Sequence, residues 1–422
     1  MKTISFFISL LTGLSIFAQS QDVSVVFHKP AEHFTESLPI GNGRLGAMIF
    51  GKTDIDRIVL NEISLWSGGI QDADDPSAHV HLKTIQQLLL NGKNLEAQDL
   101  LQKHFIAKGK GSCKGNGANC NYGCYQILGE LLLDWKNTLP IENYQRILRL
   151  DQATAFTSFK RGNNNVQQIA FADFKNDLIW IKITASQPLD IDISLHRKEN
   201  ATILYDSNKI ILSGVLPNEN TQGMQFASVI NIQTDGNLQN TTNATSVQKA
   251  KEIVLKISAA TNYNFTKGGL TQDNVLQKAN NYLQKTTILF DNAIKESQKA
   301  YQLLFNRNRW YNTKNTNTTT LSTFERLQQF YKGEKDALLP ILYYNFGRYL
   351  LISSSREGLL PANLQGLWAE EYQTPWNGDY HLNINLQMNY WLAESTNLSE
   401  LTTPLHQFTK NLVANGRKTA KA

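Results

Sequence analysis

A chain of 422 residues, 41% of them apolar, is long enough for about two or three domains with cores of their own. This composition excludes a miniprotein and a wholly disordered chain. The 41 Lys and Arg against 36 Asp and Glu give a formal charge of +5 that no long basic block concentrates. The charge pattern therefore indicates no nucleic-acid partner and no anionic membrane surface.

The first twenty residues have the composition of a secretory signal peptide. Lys2 precedes an apolar run over 4–18, and small residues follow in an A-x-A-like arrangement. A transmembrane anchor is the alternative, but the run falls short of the ~18 apolar residues that a membrane span needs. We therefore expect residues 1–20 to be a signal peptide, the mature chain to be secreted or periplasmic, and no membrane contact after cleavage.

Alternating apolar and polar residues dominate the region 21–268. The clearest case is 189–195, where Leu, Ile, Ile and Leu alternate with Asp, Asp and Ser, as in a strand with one buried face. Turn residues separate similar runs, which is typical of an antiparallel arrangement. The pattern predicts an N-terminal antiparallel β-sandwich, interrupted by helical spacing over 82–101.

Three cysteines, Cys113, Cys120 and Cys124, lie in one segment rich in Gly and Asn. A zinc site would need a fourth ligand, and the spacing matches no common zinc finger. A local disulfide between two of the three, with one thiol left over, is the favoured interpretation for an exported chain. No metal is expected.

The hydrophobic period changes from two to 3.6 residues after position 271. Helical patterns cover 274–285 and 288–305, and a polar stretch with nothing to bury follows over 311–320. Helical patterns then resume. We expect a helical linker over 269–320 and a helical domain over 321–422.

The densest group of aromatic and amide side chains lies in 356–397 and includes three Trp. Aromatic rings cover the apolar face of a sugar, while amides fix its hydroxyl groups. This composition favours a carbohydrate ligand. The alternative is an ordinary aromatic helix core with structural Asn residues.

Polar and apolar residues alternate within this segment over 381–385. His381, Asn383 and Asn385 share a face only if the backbone is extended or looped. The pattern predicts that Leu382 and Ile384 anchor the segment in the core, that the three polar side chains face a cavity, and that a helix starts near 386.

A second dense segment covers 38–51 and 60–69. Its glycines lack the spacing of a phosphate-binding loop, and turns of the sandwich explain them more simply. No signature of a serine hydrolase, zincin, NTPase or calcium module is present. A glycosidase normally uses two carboxylates, for which the nearby candidates are Glu370, Glu371, Asp379 and Glu394.

Both dense segments resemble the signature segments of the inverting α-L-fucosidases of glycoside hydrolase family 95. The first is PAEHFTESLPIGNGRLGAMIFG with LNEISLWSGG, and the second is GRYLLISSSREGLLPANLQGLW with PWNGDYHLNINLQMNYW. The resemblance implies a β-sandwich, a helical linker and a catalytic (α/α)6 barrel. It implies hydrolysis of terminal α-L-fucose from oligosaccharides with inversion, without a cofactor.

The same resemblance implies roles for individual residues. Asn383 and Asn385 match paired active-site amides, one of which orients the attacking water while a carboxylate polarises it. His381 occupies a sequence position at which the fucose-preferring members of the family resemble one another. Trp376, in the same segment, is the other expected substrate-binding residue.

The helical part is short for a complete barrel, since about twelve helices with short loops need on the order of 180 residues, more than 321–422 supplies. The expected fold class is a multidomain α+β chain that ends with the first helices of an incomplete (α/α)6 barrel. The general acid implied by the resemblance lies outside this sequence, so little activity is expected of the chain alone. The alternatives are a non-catalytic fucose-binding fragment, an α-L-galactosidase of the same family and a related phosphorylase.

Overall fold

The computed structural model describes residues 23–109, 111–218, 222–310 and 319–422. The predicted signal peptide, 1–20, lies outside these ranges, as does most of the polar stretch over 311–320. Across the described ranges, no helix combines the length and the apolar character that crossing a membrane requires.

The N-terminal region is a sheet in which every pairing between strands of the described ranges is antiparallel. Its strands are β1 (Ser24–Phe27), β2 (Leu38–Gly41), β3 (Leu45–Ile49), β4 (Ile55–Glu62), β5 (Gly129–Asp134), β6 (Ile141–Arg149), β7 (Thr154–Arg161), β8 (Asn164–Ala172), β9 (Ile179–His196), β10 (Ala201–Asp206), β11 (Lys209–Val215), β12 (Gln225–Thr234), β13 (Asn237–Asn240) and β14 (Thr245–Thr261).

Strand β9 joins the two layers of this sheet. It pairs with β8 through 179–185 and with β5 through 192–196. Pro188, which has no amide hydrogen for a ladder, lies between the two halves, and the register of the neighbouring β14 shifts between Val247 and Glu252. Because β2 and β3 pack across a shared apolar core onto β7 and β8, the predicted antiparallel sandwich is confirmed as one continuous folded sheet.

The alternating pattern over 189–195 behaves as the sequence predicted. Ile191, Ile193 and Leu195 are buried, whereas Asp190 is exposed and Asp192 is half-buried. One face of β9 therefore contributes to the core and the other meets solvent.

Helices occupy one insertion in the sheet and the region after it. Helices α1 (Leu82–Leu90) and α2 (Asn94–His104) form a hairpin between β4 and β5. The helices that follow the sheet in the described ranges are α3 (Val275–Lys285), α4 (Phe290–Phe305), α5 (Thr323–Tyr331), α6 (Leu339–Ser354), α7 (Asn385–Ser395) and α8 (Thr403–Thr419). The predicted order of sheet before helices is confirmed, while the domain boundaries at 268 and 320 stay predictions.

The two dense segments of the sequence meet where the sheet contacts the helices. The Gly43 amide donates to the carbonyl oxygen of Ser353 at the end of α6, at 2.8 Å. The Trp368 indole donates to the Ile40 carbonyl at 2.9 Å. A β-carbon on Gly41 would lie 2.6 Å from the Ser353 oxygen, so only glycine permits this approach. Besides forming the β2–β3 turn, the glycines thus let the helical region pack against the sheet.

Asp56 is a carboxyl group buried inside the sandwich. Its Oδ1 accepts from the Lys52 amide at 2.9 Å and its Oδ2 accepts from Gln168 Nε2 at 3.2 Å. Burial raises the pKa of Asp56 to about 7. Gln168 Oε1 has no hydrogen-bond partner in the described ranges. A flip of the Gln168 amide places this oxygen beside Asp56 Oδ2. There it can accept a hydrogen bond from a protonated Asp56 or from an asparagine at position 56.

We expect Asp56→Asn to make the free energy of unfolding less dependent on pH. A carboxyl group whose pKa is raised by folding stabilises the fold below its unfolded pKa and loses that contribution as pH rises to about 7. The free energy of unfolding of the variant, relative to that of the wild type, should therefore rise by about 3 kcal/mol between pH 5 and pH 8. Urea unfolding at both pH values measures this, with the exposed Asp54→Asn as the control. An equal difference at the two pH values would contradict the prediction.

Candidate active site

The segment between α6 and α7 carries the predicted site residues and contains an uncommon backbone turn. Trp376, Asn377 and Gly378 have φ angles of 55°, 59° and 60°. Left-handed angles are uncommon for residues other than glycine, and such strain is concentrated at functional sites, where surrounding contacts must maintain it. The conformation of this turn must therefore be maintained by the contacts around it.

Asn377 fixes this turn to the loop that precedes β5. The side chain is buried, and its Oδ1 accepts from the Gly117 amide at 3.0 Å and from Gln373 Nε2 at 2.8 Å. Its backbone oxygen accepts from the Tyr125 amide at 2.9 Å. A β-carbon on Gly378 would lie 2.8 Å from that of Tyr125. The turn is thus held by contacts with residues that are distant in sequence.

The cysteine-rich segment lies against the same turn. Cys113 and Cys120 form a disulfide and Cys124 is free, which confirms the prediction of a local disulfide with one thiol left over. Cys124 Sγ is buried 3.1 Å from Thr374 Oγ1, and burial raises the pKa of its thiol. An inaccessible thiol with a raised pKa packs as a small apolar group and is a poor nucleophile.

Asp379 connects His381 to this loop. The two carboxylate oxygens of Asp379 have separate partners: Oδ1 lies 2.5 Å from His381 Nδ1, and Oδ2 accepts from the Tyr122 hydroxyl at 2.8 Å. Burial, followed by the hydrogen bond to Asp379, raises the pKa of Tyr122 to about 12. The phenol therefore stays protonated and remains a donor at neutral pH.

Two of the four predicted site residues are neighbours in the structure. The rings of Trp376 and His381 are nearly perpendicular, with centroids 6.4 Å apart. Trp376 is 75% exposed. The indole is therefore a free apolar surface beside a polar ring.

The placement of the two amides differs from the prediction in part. Asn383 is exposed in the turn before α7, and Asn385 is the half-buried first residue of that helix, one position before the expected start. The predicted anchoring by Leu382 and Ile384 is wrong, since these side chains are 48% and 41% exposed. The neighbours on either side anchor the segment instead: Leu386 is buried, and the Tyr380 ring lies 5.5 Å from that of Trp66 and donates its hydroxyl to the Pro361 carbonyl.

The four candidate carboxylates have different environments. Glu370 forms an ion pair with Arg57 at 2.9 Å between the helical region and β4. Glu371 and Glu394 are exposed. Of the four, Asp379 is the one that contacts a predicted site residue in the described ranges. No group of three or more side chains suited to a metal ion occurs there either.

The roles of Tyr122 and Asn377 were not visible from the sequence. The Tyr122 contact joins residues that are 257 positions apart in the sequence, and no local sequence pattern indicates a contact across such a separation. The Asn-Gly pair at 377–378 is a turn signal that sequence reading can use. The pair predicts a turn, but it does not indicate the left-handed backbone conformation of Trp376.

Two family models match the chain. One, described as glycosyl hydrolase family 65, N-terminal domain, matches residues 25–266, and the other, the glycosyl hydrolase family 95 catalytic domain, matches residues 289–422. The part of the chain over 289–422 belongs to glycoside hydrolase family 95. The resemblance found in the sequence is thereby confirmed, and the segment with Trp376 and His381 lies within the part that matches the family 95 catalytic domain.

Curated relatives of this chain carry fucosidase names. Alpha-L-fucosidase 2 of Arabidopsis thaliana is 31% identical over 95% of this chain and 50% of its own length. Probable alpha-fucosidase A of Aspergillus niger is 32% identical over 88% of this chain and 47% of its own length. The chain thus spans about half the length of the curated relatives it matches. Among solved structures, a putative kojibiose phosphorylase from human microbiome has a TM-score of 0.49 and 12% identity, covering 84% of this chain and 45% of that chain.

Proposed function

We propose that the protein is an exported glycoside hydrolase of the α-L-fucosidase type, which releases terminal α-L-fucose from oligosaccharides with inversion. The observation that carries this proposal is the family 95 match over 289–422, the part of the chain that contains the Trp376, His381 and Asn383 segment. The fucosidase names of the curated relatives support the same substrate class.

The exposed side chains of the segment suit a sugar that has both an apolar and a polar face. The Trp376 indole is available to cover the apolar face, as aromatic rings do at carbohydrate sites. His381 beside it offers a ring nitrogen to a hydroxyl group. C6 of fucose is a methyl group and the sugar also carries hydroxyl groups, so a site that combines an exposed indole with polar side chains matches its chemistry.

Asn383 and Asn385 are proposed to orient the attacking water. A carboxamide oxygen accepts a hydrogen bond from water but is too weak a base to take its proton, so a carboxylate must complete the activation. An inverting enzyme also needs a general acid about 6.5 to 9.5 Å from that base. Because the chain spans about half of its relatives' length, hydrolysis is proposed for the protein. For the chain alone we expect little turnover of an aryl α-L-fucoside.

We expect Trp376→Ala to weaken the binding of L-fucose to the 422-residue chain about tenfold, because the sugar loses its aromatic contact. Isothermal titration calorimetry with L-fucose measures the loss, and titration with L-galactose tests whether the site prefers the C6 methyl group of fucose. The control is Trp310→Ala, another exposed indole, 56% accessible, which lies outside the segment.

Two outcomes would count against the proposal. A wild-type chain that binds neither sugar would remove the support for a fucose site in this segment. An affinity that is equal in the wild type and in Trp376→Ala would show that the sugar binds elsewhere. Tighter binding of L-galactose than of L-fucose would change the proposed substrate and leave the proposed site in place.

A further inference from the structure

We propose that Tyr122 is a positioning residue of the sugar site, which acts through Asp379 to fix the orientation and the tautomer of His381. The inference rests on the proposed function, because it concerns how His381 is oriented towards the proposed sugar. Tyr122 belongs to the cysteine-rich loop before β5, so the proposal also assigns a function to that loop.

The first step concerns the hydrogen on the imidazole ring. The carboxylate oxygens of Asp379 accept hydrogen bonds, and Oδ1 lies 2.5 Å from His381 Nδ1. The ring hydrogen therefore resides on Nδ1. In the neutral imidazole this leaves Nε2 as an acceptor, which suits a sugar hydroxyl group.

The second step concerns the carboxylate, which must itself be held. Oδ2 of Asp379 accepts from the Tyr122 hydroxyl at 2.8 Å. With one donor on each oxygen, rotation of the carboxylate about its side-chain bond breaks one of the two contacts. Asp379 and His381 are partly exposed, at 24% and 31% of their side chains. Without Tyr122, water competes for the carboxylate, and the His381 ring loses its fixed partner.

The third step is the placement of Tyr122 by its own loop. The Cys113–Cys120 disulfide closes the loop just before Tyr122. The Ala118 amide donates to Gln373 Oε1 at 2.8 Å, and the Gly123 amide donates to the Cys120 carbonyl at 3.2 Å. The loop therefore contacts the segment over 373–379 at several points. The loop that carries Tyr122 is thus held by covalent and hydrogen-bonded contacts that do not involve the sugar, while the Tyr122 side chain itself is 41% exposed.

The test is Tyr122→Phe in the 422-residue chain, which removes one hydroxyl group and keeps the ring. Nitrogen-15 NMR of histidine-labelled protein reports the tautomer, and the His381 signals are identified by their loss in His381→Gln. We expect the wild type to show the Nδ1-protonated form and Tyr122→Phe to show a mixture of tautomers. By calorimetry, L-fucose binding should weaken about tenfold, as for the loss of a hydrogen bond to a charged group.

Tyr331→Phe is the matched control, because this tyrosine is 92% exposed and lies on α5. It should change neither readout, and urea unfolding should show that both variants are folded. If Tyr122→Phe alters neither the tautomer nor the affinity while the wild type binds L-fucose, the positioning role is refuted and the proposed function stands. If the tautomer changes but the wild type binds no L-fucose, the contact is supported and the proposed function fails.

Discussion

Replacing Arg44 with methionine is expected to lower the free energy of unfolding by about 3 to 5 kcal/mol. Arg44 is 3% exposed and lies 3.8 Å from Glu62 and 3.3 Å from Asp177. Its guanidinium also donates to the carbonyl of Ala259 at 2.8 Å. Methionine fills a similar volume, but it leaves the Glu62 carboxylate buried without its cation. Urea unfolding, followed by circular dichroism, measures the loss.

The loss from Arg44→Met should depend on pH. Burial raises the pKa of Glu62, and Arg44 opposes this shift. Without Arg44 the pKa of Glu62 rises further, so the buried carboxylate disfavours folding more as pH increases. The destabilisation should therefore be larger at pH 8 than at pH 5.

Arg307→Met is the control for Arg44, because Arg307 also pairs with a carboxylate, Glu400, but both side chains are exposed. An exposed ion pair contributes about 0 to 1 kcal/mol, so little change is expected. A loss below about 1 kcal/mol for Arg44→Met would mean that water or a rearranged side chain compensates Glu62.

The partners of Arg44 explain why the two dense sequence segments are close in space. The Asp177 carboxylate forms an ion pair with Arg44 Nε at 3.3 Å. It also accepts a hydrogen bond at 2.5 Å from Nη2 of Arg356, which lies just after α6. Arg44 belongs to GNGRLG and Arg356 to the second segment. One carboxylate on the loop before β9 thus links both segments, and the geometry of the helical region depends on the sheet.

The fold was predictable from the sequence to the extent that its signals are local. Alternation identified the buried face of β9, and helical spacing identified the start of α7 to within one residue. Both signals depend on which side of an element faces the core, and neighbouring residues report this directly. That β9 joins the two layers was not predictable, since the pairings with β5 and β8 are set by contacts along the whole sheet.

The candidate site was predictable in composition but not in geometry. Amides and aromatics led to the segment over 356–397 as the predicted site, yet the alternation over 381–385 suggested that Leu382 and Ile384 are buried. That inference assumes a regular extended backbone, whereas a turn covers 382–384. Tyr380 and Leu386 hold the segment instead, because they meet apolar neighbours that the turn brings within reach.

Replacing Arg348 with methionine is expected to lower the free energy of unfolding by about 3 to 5 kcal/mol. Arg348 on α6 is fully buried, and it donates to the carbonyl oxygens of Phe305 at 2.7 Å, Asn308 at 3.0 Å and Leu304 at 3.1 Å. The last carbonyls of a helix have no partner within the helix, and a cation is favoured at that end. Arg348 therefore supplies donors to the end of α4. Methionine removes the donor to the Phe305 and Asn308 oxygens, whereas the Leu304 oxygen keeps the Arg307 amide at 3.3 Å.

The control for Arg348→Met is Arg309→Met, because Arg309 is close to the same end of α4 but exposed, where it donates to Asn306 Oδ1 at 2.7 Å. Urea unfolding of both variants compares the stability contributed by a buried cation at the helix end with that contributed by a nearby surface charge. Hydrogen exchange of the last turn of α4 should accelerate in Arg348→Met alone, because α4 and α6 are joined through this guanidinium. Unchanged exchange together with a loss below about 1 kcal/mol would show that water replaces the three donors, and that packing alone fixes α6 against α4.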